Sequence, residues 1–220
     1  MKRSLAIVIL LTANVFLALA QEKTAESFYQ SGLGQFTKND YDSALMALGE
    51  SLAIDSTHEK SLYLKAYIYN EQEEIEKAMA TYNRLLAVNP RHEDGLYNRA
   101  LLKMTTEDFE GAEADYDLAI VLNEKDPDLY LKRGYCHQLQ ENLPEALADF
   151  STAIELDSTL TEAYAYRGLG KITLLLLEDK GKPTYKRTRS ACEDLKAAST
   201  MEDPTINDLI SKYCPKKKRD

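Results

Sequence analysis

Two consecutive stretches of the chain share one pattern of residues. Residues 93–126 read EDGLYNRALLKMTTEDFEGAEADYDLAIVLNEKD, and residues 127–160 read PDLYLKRGYCHQLQENLPEALADFSTAIELDSTL. Aligned without a gap, Ala100 falls on Gly134 and Ala112 falls on Ala146. Similarity at a fixed period of 34 residues predicts an array of structural repeats rather than a single globular arrangement of helices or strands.

The same columns continue in both directions along the chain. A small column holds Gly32, Ala66, Ala100, Gly134 and Gly168, and a second one holds Ala44, Ala78, Ala112 and Ala146. Apolar columns lie three residues before the second small column (Tyr41, Ile75, Phe109, Leu143) and four residues after it (Leu48, Tyr82, Tyr116, Phe150). Spacings of three and four residues place these positions on one face of a helix.

Each copy is predicted to form two helices joined by a short polar turn, such as Gln140-Glu141-Asn142. In that copy Asn142 is expected to cap the second helix, with Pro144 in its first turn. The second helices are expected to end at Asp55, Asn89, Asn123 and Asp157. The small columns indicate where the two helices of a copy approach closely.

These residues resemble the tetratricopeptide repeat (TPR) family, whose 34-residue helix–turn–helix unit has small and aromatic residues at fixed places. The copies are 25–58, 59–92, 93–126 and 127–160. The resemblance implies an all-α, right-handed α-solenoid of four regular repeats. The sequence departs from the family pattern because it has no Trp, and only Pro90 matches the proline of the pattern.

A fifth repeat, within residues 161–214, is predicted to be irregular. Its first helix runs on through Leu174–Leu177, and about eleven residues are inserted before the next small residue, Ala191. The insert 180–189 is basic and is predicted to be a loop, followed by a helix over 190–200. A last helix from Asp203-Pro204 has one apolar face, which is typical of a cap on the open end of a solenoid.

The N-terminus has the pattern of a secretory signal peptide, residues 1–20. Lys2 and Arg3 precede an apolar run, and Ala18-Leu19-Ala20 forms a cleavage site before Gln21. The alternative is a retained membrane anchor, although the run is short for a bilayer, which needs about 20 residues. We expect export, with a periplasmic or secreted mature protein.

The formal net charge is −9, which argues against nonspecific nucleic-acid binding. The charge is unevenly distributed: residues 21–160 carry −15, and residues 161–220 carry +4, including a basic tail at 215–220. This basic end has two interpretations, a solvated tail or a weak contact with an anionic surface. No motif indicates a catalytic site, a metal site or a cofactor, so none is predicted.

Arg133 and Arg167 share a column of first helices, and Asp115 and Asp149 share a column of second helices. We expect structural ion pairs from Asp115 to Arg133 and from Asp149 to Arg167, each between neighbouring repeats. Arginine suits this role because its planar guanidinium can bind a carboxylate through two hydrogen bonds. A role in ligand binding is the alternative.

Three cysteines are present. Cys192 lies near the start of one predicted helix and Cys214 near the end of the next, so antiparallel packing would bring the two thiols together. We expect a disulfide between them, with Cys136 left free and buried. The alternative is three free buried thiols.

On the first helices, one set of recurring positions lies outside the face that the predicted core uses. In proteins of the resembled family, first helices line a concave surface that binds peptide segments. The partner-binding groove would comprise Tyr29, Leu33, Tyr63, Tyr67, Tyr97, Leu101 and Tyr135, with an acidic rim. Tyrosine provides large contact area at low entropic cost. The alternative is that these rings pack against neighbouring repeats.

Three functions remain open. The first is a non-enzymatic adaptor or scaffold that binds a peptide or protein segment in an aromatic concave groove. The second is a structural or assembly subunit of a cell-envelope complex, which would use its edges and its basic C-terminal end. The third is an enzyme or an enzyme-regulating subunit, which no residue pattern supports.

Overall fold

The structure, a computed structural model, describes residues 23–181, 184–201 and 203–214. Over these residues the chain forms eleven α-helices and a short 3-10 helix (Ala198–Met201). The helices are α1 (Ala25–Phe36), α2 (Tyr41–Ile54), α3 (Glu59–Glu71), α4 (Ile75–Val88), α5 (Glu93–Thr105), α6 (Phe109–Leu122), α7 (Pro127–Leu139), α8 (Leu143–Leu156), α9 (Thr161–Glu178), α10 (Tyr185–Ala197) and α11 (Pro204–Tyr213). The predicted all-α class of helix–turn–helix repeats is confirmed.

The chain divides between Asn89 and Pro90 into two compact units, three residues before the repeat boundary at 92/93. The N-terminal unit contains the helix pairs α1–α2 and α3–α4. The C-terminal unit contains the pairs α5–α6, α7–α8 and α9–α10, together with α11. The predicted signal peptide (1–20) and basic tail (215–220) lie outside the described residues. Among those described, every helix is too short or too polar to cross a bilayer.

The turn inside each regular repeat reverses the chain in the same way. Asn39, Glu73, Glu107 and Glu141 occupy this position with φ between 59° and 62°. After α5, the amide of Asp108 donates to the carbonyl of Lys103 (2.8 Å), and that of Glu107 donates to Met104 (3.1 Å). This is the Schellman arrangement at a helix C-terminus. Asp108 then caps α6 by accepting from the amide of Gly111 (3.0 Å), so one short segment ends a helix and starts the next.

The starts of the first helices contain caps that the sequence did not reveal. His58 precedes α3 and His92 precedes α5, and in each case the ring Nδ1 accepts from the backbone amide three residues on. Asn142, in contrast, occupies the cap position of α8 without a side-chain hydrogen bond. That part of the capping prediction is wrong, and the adjacent Pro144 does lie in the first turn of the helix.

The small columns let the two helices of a repeat approach closely. In α7, a Cβ added at Gly134 would lie 2.8 Å from the Phe150 ring and 3.0 Å from the Cβ of Asp149. A larger residue would therefore force α7 and α8 apart. The space is filled by the aromatic column of the second helices, because Tyr82, Tyr116 and Phe150 are fully buried. These rings form the centre of each repeat's core.

The arginine and aspartate columns pair differently from the prediction. Arg133 donates from Nε and Nη2 to both oxygens of Asp149 (2.8 and 2.6 Å), which lies in the same repeat. Equivalent fork pairs join Arg99 to Asp115 and Arg167 to Asp194. The predicted pairs Asp115–Arg133 and Asp149–Arg167 are therefore wrong. Close helix approach beside Gly134 places the aspartate next to its own repeat's arginine.

The link between neighbouring repeats uses the remaining guanidinium nitrogen. Arg133 Nη1 donates to Asp117 of the preceding second helix (2.7 Å), and Arg167 Nη1 reaches Ser151 (3.2 Å). A second basic column, one turn after the arginines, also contacts the buried aspartates. Lys103 and Lys171 lie 2.9 and 2.7 Å from their aspartates, and His137 lies 3.6 Å from Asp149. Their 34-residue spacing could have revealed them.

The fifth repeat differs from the others in length. Helix α9 has 18 residues, whereas the first helices of the regular repeats have 12 or 13. Helix α10 begins at Tyr185, so the predicted loop over 180–189 is too long; residues 182–183 of it lie outside the described residues. Arg187 explains the earlier start, because it pairs with Glu178 and Asp179 at the end of α9. Gly168 packs against Leu195. The two helices of this repeat therefore approach each other closely at the small residue, as they do in the regular repeats.

Helix α11 lies against α10 and is joined to it covalently. Asp203 caps α11 by accepting from the amide of Thr205 (2.6 Å). At its other end Cys214 forms a disulfide with Cys192 of α10, with the two Cα atoms 5.6 Å apart. Ile206 packs into the cluster formed with Leu195 and neighbouring residues. Cys136, on α7, is a free and buried thiol.

The corrected pairing can be tested by double-mutant cycles in urea unfolding. Arg133→Ala should lower the free energy of unfolding by about 3 kcal/mol, because it leaves the buried carboxylate of Asp149 without its main partner. Arg133 and Asp149 should couple strongly, whereas Arg133 and Asp115 should be additive within about 0.5 kcal/mol. Arg189→Ala, which breaks an exposed pair with Glu193, is the control and should cost less than about 1 kcal/mol. Coupling of Arg133 to Asp115 instead would restore the pairing between repeats.

Thiol counting tests the disulfide. Protein prepared under oxidising conditions and then unfolded without reductant should show one reactive thiol, Cys136, and three after reduction. Replacing both Cys192 and Cys214 with Ser should lower stability by about 3 kcal/mol, because the bond closes a loop with a sequence separation of 22. The double variant should also be insensitive to dithiothreitol. Three reactive thiols in the oxidised wild-type protein would contradict the assignment.

Candidate partner-binding surface

The seven residues of the predicted groove all lie on first helices, and all are half-buried. Tyr29, Leu33, Tyr63 and Tyr67 belong to the N-terminal unit, on α1 and α3. Tyr97, Leu101 and Tyr135 belong to the C-terminal unit, on α5 and α7. Each set is therefore described within its own unit. Leu131, which occupies the same column in α7, is only 1% exposed and belongs to the core.

In the N-terminal unit the rings form a connected layer. The ring centres of Tyr63 and Tyr67 lie 6.4 Å apart, and the ring of Phe36 meets that of Tyr67 edge-on with their centres 5.8 Å apart. Tyr63 also contacts the buried Tyr82 at 6.3 Å. These contacts fix the ring positions while leaving part of each ring exposed, since edge-to-face and offset contacts use only one side of a ring.

One carboxylate of this unit already has a cationic neighbour and further hydrogen-bonding partners. Glu26 lies 3.3 Å from the Nζ of Lys60 and 3.2 Å from the Nε2 of His58, and it accepts from Gln30 at 2.7 Å. The pKa of Glu26 is lowered, first by the Gln30 hydrogen bond and then by Lys60. Lys60 also lies over the Tyr29 ring, 5.6 Å from its centre. The acidic rim is thus locally paired here.

In the C-terminal unit the tyrosines have more polar surroundings. The hydroxyl of Tyr97 donates to Asp128 (2.6 Å), and its ring meets the buried Tyr116 edge-on. Burial, followed by the bond to Asp128, raises the pKa of Tyr97. Tyr135 lies against Tyr166 of α9 at 5.1 Å, and Tyr166 stacks on Phe150.

Sequence columns could not have identified Tyr166. The residues 34 and 68 positions earlier are Lys132 and Asn98, so the ring has no counterpart in the repeat. It nevertheless extends the aromatic surface from α7 to α9. The structure therefore combines the two sequence interpretations: one side of each predicted tyrosine packs on its neighbours, and the remainder stays accessible.

Of the clefts that border α9 in the C-terminal unit, one is formed with residues of α7 and α8 and another with residues of α11. The larger, of about 400 Å³, is lined by Gln138, Glu141, Leu143, Leu169, Thr173 and Leu177. The smaller, of about 230 Å³, lies between α9 and α11. Both are largely apolar and open to solvent, which suits side chains of a polypeptide better than an enclosed small molecule.

Metal ligands and nucleophiles are the groups that bear on a catalytic role. Over those residues, no group of three or more His, Cys, Asp or Glu side chains is arranged to hold a metal ion. Burial raises the pKa of the Cys136 thiol to about 12, so it is protonated at neutral pH and is a poor nucleophile. The buried aspartates Asp115, Asp149 and Asp194 are engaged in ion pairs.

Comparison with solved structures gives the same fold. YrrB, described as a TPR protein with an unusual peptide-binding site, has a TM-score of 0.73 and 19% identity, covering 90% of this chain and 97% of its own. MamA from Desulfovibrio magneticus RS-1 has a TM-score of 0.69 at 14% identity, covering 81% and 94%. A tetratricopeptide repeat protein from Parabacteroides merdae has a TM-score of 0.62 at 23% identity, covering 93% and 90%.

Sequence comparison adds the family assignment. A search of curated proteins gave no match. Two sequence profiles described as tetratricopeptide repeat match residues 35–102 and 97–161. Together they span the regular repeats from the end of α1 to the start of α9, and the chain belongs to the tetratricopeptide repeat family.

Proposed function

We propose that the protein is a non-enzymatic, exported adaptor that binds a peptide or protein segment on the first-helix faces of its repeats. The observation that carries this proposal is the set of half-buried tyrosines and leucines that remain accessible after the repeat cores are filled. Proteins of this family are in general interaction modules rather than catalysts. A peptide-binding site is described for YrrB, a protein of similar fold.

The ring contacts support binding because they hold the aromatic side chains in place before a partner arrives. Tyr67 lies against Phe36, and Tyr135 lies against Tyr166. A side chain that is already ordered loses little conformational entropy on binding. Tyrosine also offers a hydroxyl to the partner's backbone. The surface thus combines apolar area with hydrogen-bonding groups.

Export is part of the proposal and rests on the signal-peptide pattern of residues 1–20, which lie outside the described residues. The disulfide between Cys192 and Cys214 supports it. Disulfides persist in oxidising compartments and are rare in the cytosol. A periplasmic or secreted location agrees with both features.

A role as an assembly subunit of a cell-envelope complex is the second candidate. Its support is a different surface, since large apolar residues are exposed on second helices. Met46 on α2 is 72% exposed, and Val121 on α6 is 75% exposed. Exposed apolar residues on the second helices would suit contacts with other subunits.

Site-specific photocrosslinking in the source cell separates the two candidates. A photoreactive phenylalanine analogue at Tyr67 or Leu101 should crosslink to a partner segment, because these positions are accessible on first helices. The same analogue at Met46 or Val121 is the matched control and should give no partner crosslink. Crosslinks confined to Met46 and Val121 would instead support the assembly role.

A charge substitution provides the functional counterpart. Leu101→Glu should reduce partner capture at least about tenfold, because it places an unpaired charge in an apolar contact. Val121→Glu is the control and should leave capture unchanged. Circular dichroism and urea unfolding of both variants would establish that the repeats remain folded. Equal capture by Leu101→Glu and the wild-type protein would contradict the groove.

A further inference from the structure

The cleft between α9 and α11 has a distinct chemical character. It is lined by Ala165, Tyr166, Leu169, Asp203, Thr205, Ile206 and Leu209 and has a volume of about 230 Å³. Small-molecule pockets usually measure about 300–1,000 Å³. The cleft therefore has the size for one or two side chains of a polypeptide.

The floor of the cleft is apolar and its edge is acidic. Ala165 and Ile206 are buried, and Leu169 and Leu209 are half-buried between the two helices. Asp203 lines the cleft beside the Tyr166 ring. Glu162, one helical turn before Tyr166, lies on the same side of α9. The pKa of Tyr166 is raised by burial, by Tyr135 and by the charges of Glu162 and Asp203, in keeping with an acidic edge to the cleft.

Neither carboxylate has a cationic neighbour among the described residues: the ion pairs of the described ranges involve neither Glu162 nor Asp203. Asp203 uses Oδ1 to cap α11, and its pKa is lowered by those hydrogen bonds. It therefore stays negative at neutral pH.

Elsewhere in the molecule, a carboxylate and a tyrosine ring one helical turn apart bind a lysine side chain. On α1, Glu26 and Tyr29 are three residues apart, and Lys60 lies over the Tyr29 ring with its Nζ 3.3 Å from Glu26. Glu162 and Tyr166 on α9 provide the same pair of groups, one turn apart, with Asp203 as a second carboxylate. The described residues around the cleft provide no basic side chain equivalent to Lys60.

We propose that this cleft binds a lysine or arginine side chain of a partner's polypeptide segment. The aliphatic stem would lie on Leu169, Ile206 and Leu209, and the charged head would meet Glu162 and Asp203 beside the Tyr166 ring. Long basic side chains commonly combine an apolar stem contact with a charged head at the edge, and a cation near an aromatic face gains further attraction.

This inference rests on the proposed adaptor function and specifies its partner. Tyr135 contacts Tyr166 at 5.1 Å, so the cleft continues the aromatic surface of α7. A segment lying on Tyr135 would bring a following side chain to the cleft. The partner segment is therefore expected to contain a basic residue next to apolar ones.

Selection from a random dodecapeptide display library against the full chain tests the proposal. Bound peptides should be enriched in Lys or Arg flanked by apolar residues. Individual enriched peptides should bind at least about tenfold more weakly to Glu162→Gln combined with Asp203→Asn, since charge-assisted contacts are lost. Asn at position 203 can still cap α11, so the fold should be retained. Binding should also weaken as salt concentration rises.

Asp208→Asn combined with Glu155→Gln is the matched control, because both side chains are exposed and lie outside the cleft. It should leave affinity unchanged. Enriched peptides without basic residues, or peptides equally affected by both double variants, would overturn the cleft assignment while leaving the adaptor function in place. If no peptide is enriched on the wild-type chain, the result would contradict both the cleft assignment and the adaptor function.

The basic tail, residues 215–220, is the competing occupant. Neutralising Lys216–Arg219 should leave the affinity of the selected peptides unchanged if a partner fills the cleft. An affinity that rises at least about tenfold on neutralisation would overturn the proposal and assign the cleft to the chain's own tail.

Discussion

The close approach of two helices at the small columns is the constraint on which the rest of this structure depends. Gly32 lies against Leu48, Gly134 against Phe150 and Gly168 against Leu195, each with no space for a Cβ without displacement. That proximity buries the aromatic column of the second helices. Because one face of each first helix is used in this packing, the opposite face remains for Tyr29, Tyr97 and their equivalents.

The same proximity explains which ion pairs form. The sequence correctly indicated that arginines and aspartates in 34-residue columns would be structural. It could not give the partner, since Asp149 lies sixteen residues after Arg133 and eighteen before Arg167. The choice depends on how far apart the helices are. Beside Gly134 the two backbones are close enough for Arg133 to bind both oxygens of Asp149, which leaves only Nη1 to reach the preceding repeat.

The residues of the candidate site that could be predicted from sequence are those that recur at the 34-residue period. Columns located Tyr67 and Leu101 on first helices, and the structure finds them half-buried. Periodicity gave no information on Tyr166 or Asp203, because the fifth repeat is irregular and α11 has no counterpart in the other repeats. The start of α10 was likewise missed, since Arg187 pairs with residues at the end of α9, and such a contact leaves no periodic signal.

The end of the chain departs from the repeat pattern in a way that bears on the proposed binding cleft. In the regular repeats, the buried aspartates near the small columns have cationic partners supplied by the repeat itself, such as Lys103 for Asp115 and Arg133 for Asp149. Asp203 immediately precedes α11 and has a local role as its cap, and over the described residues its carboxylate forms no ion pair with the basic side chains of the repeat columns. Because Ile206 of α11 joins an apolar cluster with residues of α9 and α10, the last helix also forms one wall of a cleft beside α9. A residue placed there is free of the repeat's packing requirements, and a surface of that kind can acquire specificity for one partner without disturbing the core of the array.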